Sequence, residues 1–327
     1  MLPTQDSAES FHSSLRKLNL YSISRLERLL GVDRHDLRAL ARRAGAYYSP
    51  FDKRSKARPF QKKPNPSKTR VIDNPLDDLK AIQTLINDRL LRPLDLPSYI
   101  CGGIKGKSVL DNVSLHREGK VLIKVDIKRF FPSISNVHVF AVWRSSLGCS
   151  SRIAALLTQL TTFERHLPQG APTSTTLANL VLHACDGAIR IECKRRGIQY
   201  SSWIDDLAFS SDNPRGIIEI VVHALRHEGF RVSHKKLDIL GPGARKILNG
   251  VVMGPKLNVP PERLARIRSG IHKLRQGKVP PEDLDRYVRS LQGSIAHLAS
   301  IVPSKGEKFR SELERTVHSH VQQRSQR

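Results

Sequence analysis

The stretch that most constrains this chain is Ile198 to Ser211, IQYSSWIDDLAFSS. The alternation of Ile198, Tyr200 and Ser202, followed by Leu207 and Phe209, predicts two short strands that meet at Asp205 and Asp206. Adjacent carboxylates repel each other, so a tight turn holding both favours a neighbouring cation. Mg²⁺ suits that place, because it is a hard ion that takes oxygen ligands and also binds phosphates. An isolated acidic pair equally fits a solvated hairpin turn, so its meaning rests on the rest of the sequence.

A second acidic position is built differently. In VLIKVDIKRFFPSIS, Val121, Leu122, Ile123 and Val125 predict a strand buried in the middle of a sheet, and Asp126 closes it. A lone aspartate there is ordinarily a turn former, but the lysine-rich aromatic segment that follows makes a functional ledge. Further on, LPQGAPTSTTLANLVLHACD reads as a polar loop around Gln169 and Gly170 running into an apolar helix from Thr175 or Thr176. Backbone N–H groups at such a helix start favour an anion or nucleotide.

Charge narrows the partner. The 327 residues carry 55 Lys and Arg against 30 Asp and Glu, a formal net charge of +25. Such an excess points to a polyanion, whose counterions are released on binding. The basic residues are spread through every segment rather than gathered on one amphipathic helix, so nucleic acid is favoured over a membrane surface. No apolar run approaches the roughly 20 residues of a membrane span. The N-terminus lacks a signal-peptide pattern, and Cys101, Cys149, Cys185 and Cys193 show no CxxC spacing, so a cytoplasmic location is expected.

The other segments fill in around these. Ser22 or Ser24 is expected to cap a helix that Gly31 ends, and Asp33 a second helix that Gly45 ends. The second carries Arg38, Arg42 and Arg43 on a face that is either functional or merely solvated. FDKRSKARPFQKKPNPSKTR, residues 51 to 70, sets eight basic residues and three prolines against one acid. It reads as a loop that grips phosphates, tethered to a helix with the stripe Leu79, Ile82, Leu85, Ile86 and Leu90. Residues 97 to 117 combine glycine and lysine in a way that allows close approach to a phosphate chain, but GGIKGKS lacks P-loop spacing. A helical stretch is expected over about residues 137 to 163, a helix over 214 to 229 and a strand in GFRVSHKKLDIL. His223 and His227 sit four apart without a third ligand and read as a solvated helix face. From Pro255 on, three helices carry 15 Lys and Arg against 7 Asp and Glu, either a clamp on a duplex or a bundle serving stability alone. Arg263, Arg266 and Lys273 on the first are candidate RNA contacts.

The order of DIKRFFPSI, LPQGAPTSTTLANL and a DDL hairpin resembles the palm of a reverse transcriptase, with the likeness running upstream through KTRVIDNP and downstream through Lys236. SVLDNVSLH, with Asn112 and His116, resembles a segment of the bacterial retron type. The chain departs from that pattern at Trp203 and Ile204 before the acidic pair, at Val113, and at Leu248 and Asn249 before Gly250. The resemblance implies an α+β right-hand polymerase with fingers, an antiparallel palm and a helical thumb. Residues 1–50 would be an N-terminal helical extension, 51–120 fingers with part of the palm, 121–254 palm with a fingers insertion at about 137–168, and 255–327 the thumb.

The same resemblance implies an RNA-directed DNA polymerase working by two-metal phosphoryl transfer. Asp126 and Asp205 would bridge two Mg²⁺ ions, with the Ile127 carbonyl as a further ligand and Asp206 beside them. Lys63 and Arg70 would hold the triphosphate, Lys62 being the alternative to Lys63, and Gln169 and Gly170 the nucleotide. Lys236 would stand near the pyrophosphate. Phe131 would exclude a 2′-OH, Phe130 facing the core, which disfavours an RNA-synthesising relative. Asn112 and His116 would belong to RNA binding. The partners implied are dNTPs, a structured noncoding RNA serving as template and primer, its RNA–DNA product, and an effector protein in antiphage defence. An abortive-infection or template-independent polymerase, or a non-catalytic RNA-binding scaffold, are the alternatives.

Overall fold

The computed structural model describes residues 17–54 and 69–325, which fall into two units, one running to Pro242 and one from Gly243 onward. Lys63 and Lys62 lie outside the described residues. In the first unit, Ser22 accepts the Arg25 N–H to start α1 (Ile23–Leu30), and Gly31 ends it in the left-handed region. Asp33 caps α2 (Arg34–Arg43) through the His35 N–H at 2.6 Å. The α-helix ends just before Gly45, as expected, but not through a left-handed glycine. Gly45 does not take a positive φ, and the chain tightens into a 3-10 turn over Ala44–Tyr47 that buries Ala44.

Strands β1 (Tyr48–Arg54) and β2 (Thr69–Pro75) then pair, and β2 leads into α3 (Asp77–Ile86). Leu79, Ile82 and Ile86 are buried as the stripe predicts, and a π-turn over Asn87–Leu91 keeps Leu90 and Leu91 inside as well. Helix α4 (Val109–Ser114) opens on a reciprocal cap between Ser108 and Asp111. A single turn, α5 (Phe130–Ser133), follows the central strand.

The helical stretch expected over residues 137 to 163 consists of two helices. α6 (Asn136–Ala141) widens into a π-turn over Val142–Ser146, the chain reverses at Gly148 with φ of 70°, and Ser150 caps α7 (Ser151–Thr161). The break buries Trp143 completely, which a straight helix would carry past the core. Next come α8 (Ser174–Cys185) and α9 (Gly187–Arg195), the former starting one residue earlier than the threonines suggest.

One four-stranded antiparallel sheet organises this unit. Its order is β4 (Gln199–Trp203), β5 (Asp206–Ser211), β3 (Val121–Asp126), β6 (Asp238–Leu240). β3 is central and nearly wholly buried, as its apolar run requires. Helix α10 (Ile217–His227) packs beside α9. The strand expected in GFRVSHKKLDIL is mostly irregular. Val232 makes an isolated bridge to Ile127, residues His234–Lys236 form a 3-10 turn, and only β6 joins the sheet.

In the second unit a hairpin, β7 (Lys246–Leu248) and β8 (Val251–Met253), goes with the helices rather than with the sheet. Helices α11 (Pro261–Arg275), α12 (Leu284–Ile301) and α13 (Pro303–Ser325) bury Ile267, Ile271, Leu274, Leu291, Ile295 and Leu298. Among the described residues, no helix is long and apolar enough to cross a membrane, and all four cysteines are free thiols.

Candidate active site

The sheet register assembles the acidic cluster. Asp126, last residue of β3, stands directly opposite Asp206, first residue of β5, and Trp203 flanks Asp206 on β4. One residue further, the Ile127 N–H donates to the Asp205 carbonyl at 2.9 Å. Three acids separated by up to 80 residues of sequence thus meet at one sheet edge. The turn between β4 and β5 is strained, because Ile204, a β-branched residue, has φ of 61°.

Crowding shows in the protonation of these groups. Burial, then the negative charge of Asp126, raises the pKa of Asp205, while Lys236 and Arg70 pull it back. Asp206 is the more exposed to solvent, yet it is pushed up to about 6 by lost hydration, then by Asp205 and Asp126. Lys236 places its ammonium directly on the Asp126 carboxylate, at 8% exposure for that side chain. Among the described residues no three ligating side chains already form a chelate. The donor set nevertheless fits a hard divalent cation: all-oxygen, excess negative charge, and one carboxylate already held by a cationic side chain.

The turn is seated from below by the glycine-rich segment. Ser202 donates its N–H to Tyr99 O at 2.9 Å and accepts from Cys101 N–H at 2.8 Å. A Cβ on Gly102 would lie 2.7 Å from Ile204 N and 2.8 Å from the Trp203 carbonyl carbon. Within this segment Gly102 makes its close approach to the acidic turn. Lys107, which composition offers to phosphate, instead donates to the carbonyls of Ile100 at 2.7 Å and Ser98 at 2.9 Å. Asn179 on α8 donates to Gly102 O at 2.8 Å and ties that helix to the same segment.

Asn112 and His116, expected at the RNA, are interior residues, each 1% exposed. His116 bridges the sheet from behind, with Nδ1 2.7 Å from Ser210 Oγ on β5 and Nε2 2.7 Å from Ser201 Oγ on β4. Burial lowers its pKa to about 4, so the ring is neutral. Neither side chain can touch RNA from this position, and the assignment is corrected to a structural one. A second buried group fixes β4 from the other end: Asp186 accepts from Arg190 Nε at 2.6 Å and from the Tyr200 hydroxyl at 3.0 Å.

The remaining candidates divide by unit. Arg70 lies close enough to influence Asp205. Gln169 and Gly170 lie against β2, where the Asp73 N–H donates to Gln169 O at 3.0 Å and a Gly170 Cβ would meet Ile72 at 2.8 Å. Phe130 is 2% exposed and packs edge-on against Phe230, whereas Phe131 is only partly buried. Phe130 is the inward ring, as expected, and Phe131 packs partly buried against the edge of the core. Arg263, Arg266 and Lys273 are on α11 in the second unit, where Lys273 sits 5.7 Å over the Tyr287 ring. His227 pairs with its neighbour Glu228, and no metal cluster includes it among the described residues. Asp73 escaped the sequence reading. The only signal of Asp73 was an acid inside the apolar strand RVIDNP.

An antiparallel sheet that brings an aspartate at a strand end to an acidic hairpin is the arrangement of a polymerase palm. Residues 61–251 match the family model described as reverse transcriptase (RNA-dependent DNA polymerase). The retron Ec86 reverse transcriptase of Escherichia coli is 31% identical over 222 residues, covering 67% of this chain and 69% of that protein. The retron Mx162 reverse transcriptase of Myxococcus xanthus is 28% identical, over 75% of this chain and 57% of its own length. The retron Ec83 reverse transcriptase of Escherichia coli is 28% identical, over 83% and 94%. The chain belongs to the reverse transcriptases, RNA-directed DNA polymerases of right-hand fold, and within them to the bacterial retron type. The match spans little more than half of the Mx162 relative and nearly all of the Ec83 one.

Proposed function

We propose that this chain copies part of a dedicated structured noncoding RNA into single-stranded DNA, starting from a 2′-OH of that RNA, so that product and template stay linked. The observation that carries the reading is the register that sets Asp126 opposite Asp206 and bonds Asp205 O to the Ile127 N–H. Asp126 and Asp205 would hold two Mg²⁺ ions, with the Ile127 carbonyl and Asp206 completing the oxygen set. When bound, such ions activate the primer hydroxyl and neutralise the charge of the departing pyrophosphate. Arg70, at the start of β2, and Lys63 would draw in the triphosphate, and the Gln169–Gly170 loop would seat the nucleotide. Lys236, half exposed beside Asp126, would supply positive charge and a proton to the leaving group. Phe131 would lie under the sugar and reject a 2′-OH on the incoming nucleotide.

We assign the two units to a palm with fingers and to a thumb, the boundaries being 1–50, 51–120, 121–254 and 255–327 with the hairpin of β7 and β8 moving to the thumb. Arg263, Arg266 and Lys273 would contact RNA from that second unit. The setting we propose is antiphage defence in the cytoplasm with an effector protein.

Expression with the flanking genomic noncoding region tests the reading. A branched RNA–DNA product is expected, and Asp205→Asn with Asp206→Asn should cut it by roughly a thousandfold, since metal-borne charge stabilisation is worth several kcal/mol. DNA made without template RNA would instead indicate a template-independent polymerase. Tight RNA binding with no DNA from the unaltered chain would indicate a scaffold.

A further inference from the structure

We propose that Asp73 is a positioning residue for the incoming nucleotide, clamping the Gln169–Gly170 loop to β2; this rests on the reading of that loop as the nucleotide site. Asp73 is 5% exposed, between the half-buried Ile72 and Asn74 on β2. A carboxylate so deeply buried persists only where polar partners meet it. Its partners all belong to one loop. The Asp73 N–H donates to Gln169 O at 3.0 Å, and the Gln169 N–H donates back to Asp73 Oδ2 at 3.0 Å. His166, at the start of the loop, brings Nε2 to 3.2 Å from that same oxygen.

The two-point grip on Gln169 fixes both the amide and the carbonyl of one residue. Gly170 follows immediately with φ of 130°, against Ile72, where a Cβ would come within 2.8 Å of Cγ2. Only glycine tolerates both that backbone and that distance. β2 also bears Arg70, three residues before Asp73, whose charge is felt at Asp205. One strand therefore carries a cation toward the acidic cluster and anchors the loop. The side chain of Asp73 need not touch the nucleotide to set where the loop stands. Removing its acceptor should loosen nucleotide binding and leave the chemistry of bound nucleotide largely intact.

The test uses the full chain on poly(rA) primed with oligo(dT), with dTTP as the probe, and reads KM and kcat separately. Asp73→Leu keeps the γ-branched shape, adds some bulk and removes the acceptor. It should raise the dTTP KM about tenfold, the size of one lost charge-assisted hydrogen bond, with kcat within about threefold. Asp73→Asn retains an oxygen acceptor at the point where the Gln169 N–H and His166 Nε2 converge, so its KM should stay within about twofold of the parent. A KM unchanged in Asp73→Leu, a loss confined to kcat, or an Asn variant as impaired as the Leu variant overturns the proposal. Should Asp73→Leu fail to fold, His166→Ala decides: it should raise KM about threefold, and an unchanged KM overturns the proposal. Gln169→Ala separates the two readings. If it leaves the dTTP KM unaltered, the loop is not the nucleotide site, whatever Asp73 does.

Discussion

Acid should weaken the palm through a single ring. His116 is 1% exposed, its two nitrogens engaged by Ser201 and Ser210 on neighbouring strands. A neutral imidazole donates from one nitrogen and accepts at the other, so one serine receives a proton and the other gives one. Protonation makes both nitrogens donors, forces the giving serine to turn in a closed space, and buries a charge. Burial accordingly depresses the ring's pKa from 6.5 to about 4. The unfolded chain then binds one more proton than the folded chain between about pH 6.5 and 4. Stability from this group is full above the higher value and is lost as pH falls through that window. Between pH 7 and pH 5 the loss is about 2 kcal/mol, rising to about 3 kcal/mol near pH 4.

Urea unfolding at fixed salt measures it, followed by tryptophan fluorescence, because the chain's two tryptophans, Trp143 and Trp203, both lie in the first unit. The control is His116→Gln, which retains a donor and an acceptor but does not titrate. Subtracting its pH profile removes the opposite contribution of Asp186, whose carboxyl burial pushes up to about 6 despite Arg190. The difference should grow by about 2 kcal/mol from pH 7 to pH 5. Parallel profiles for parent and variant would refute the reasoning, since the ring would then titrate alike in both states.

Two further perturbations bear on the active site. Phe131→Ala should raise ribonucleotide incorporation while leaving the fold intact, whereas Phe130→Ala, which empties a fully packed position, should cost about 3–5 kcal/mol in urea unfolding. Unchanged sugar discrimination in the first would remove the gate assignment. Gly102→Ala would press a methyl to 2.7 Å from Ile204 N. It should destabilise the palm by about 1–3 kcal/mol and depress kcat with it, and a variant as active as the parent would show the seat to be soft.

How much of this was readable in advance follows from the range of the interactions. The acidic cluster was legible because each acid closes an apolar strand, and strand ends meet in an antiparallel sheet whatever the loops between them do. The burial of Phe130 was legible because two adjacent rings cannot fill the same place, even on a helical turn where neighbours point about 100° apart. Helix continuity was not. The π-turns at Asn87–Leu91 and Val142–Ser146 exist to keep Leu91 and Trp143 inside, a demand set by packing partners far off in sequence. Polar side chains were misread for a related reason. Lys107 and His116 have residue types that suggest nucleic acid, yet carbonyls and serines brought in by the fold consume their hydrogen bonds. Asp73 depends on a loop 96 residues away and left no periodic trace.

The pairing of Lys236 with Asp126 has a consequence for how this polypeptide matures. A catalytic cleft of bare anions would resist assembling until an external ion arrived, tying folding to the ion supply. Here the chain brings its own counter-ion, delivered by the short turn before β6. The charge of Asp126 is thus met from within the chain, by a side chain whose own turn is bound into the same sheet through β6.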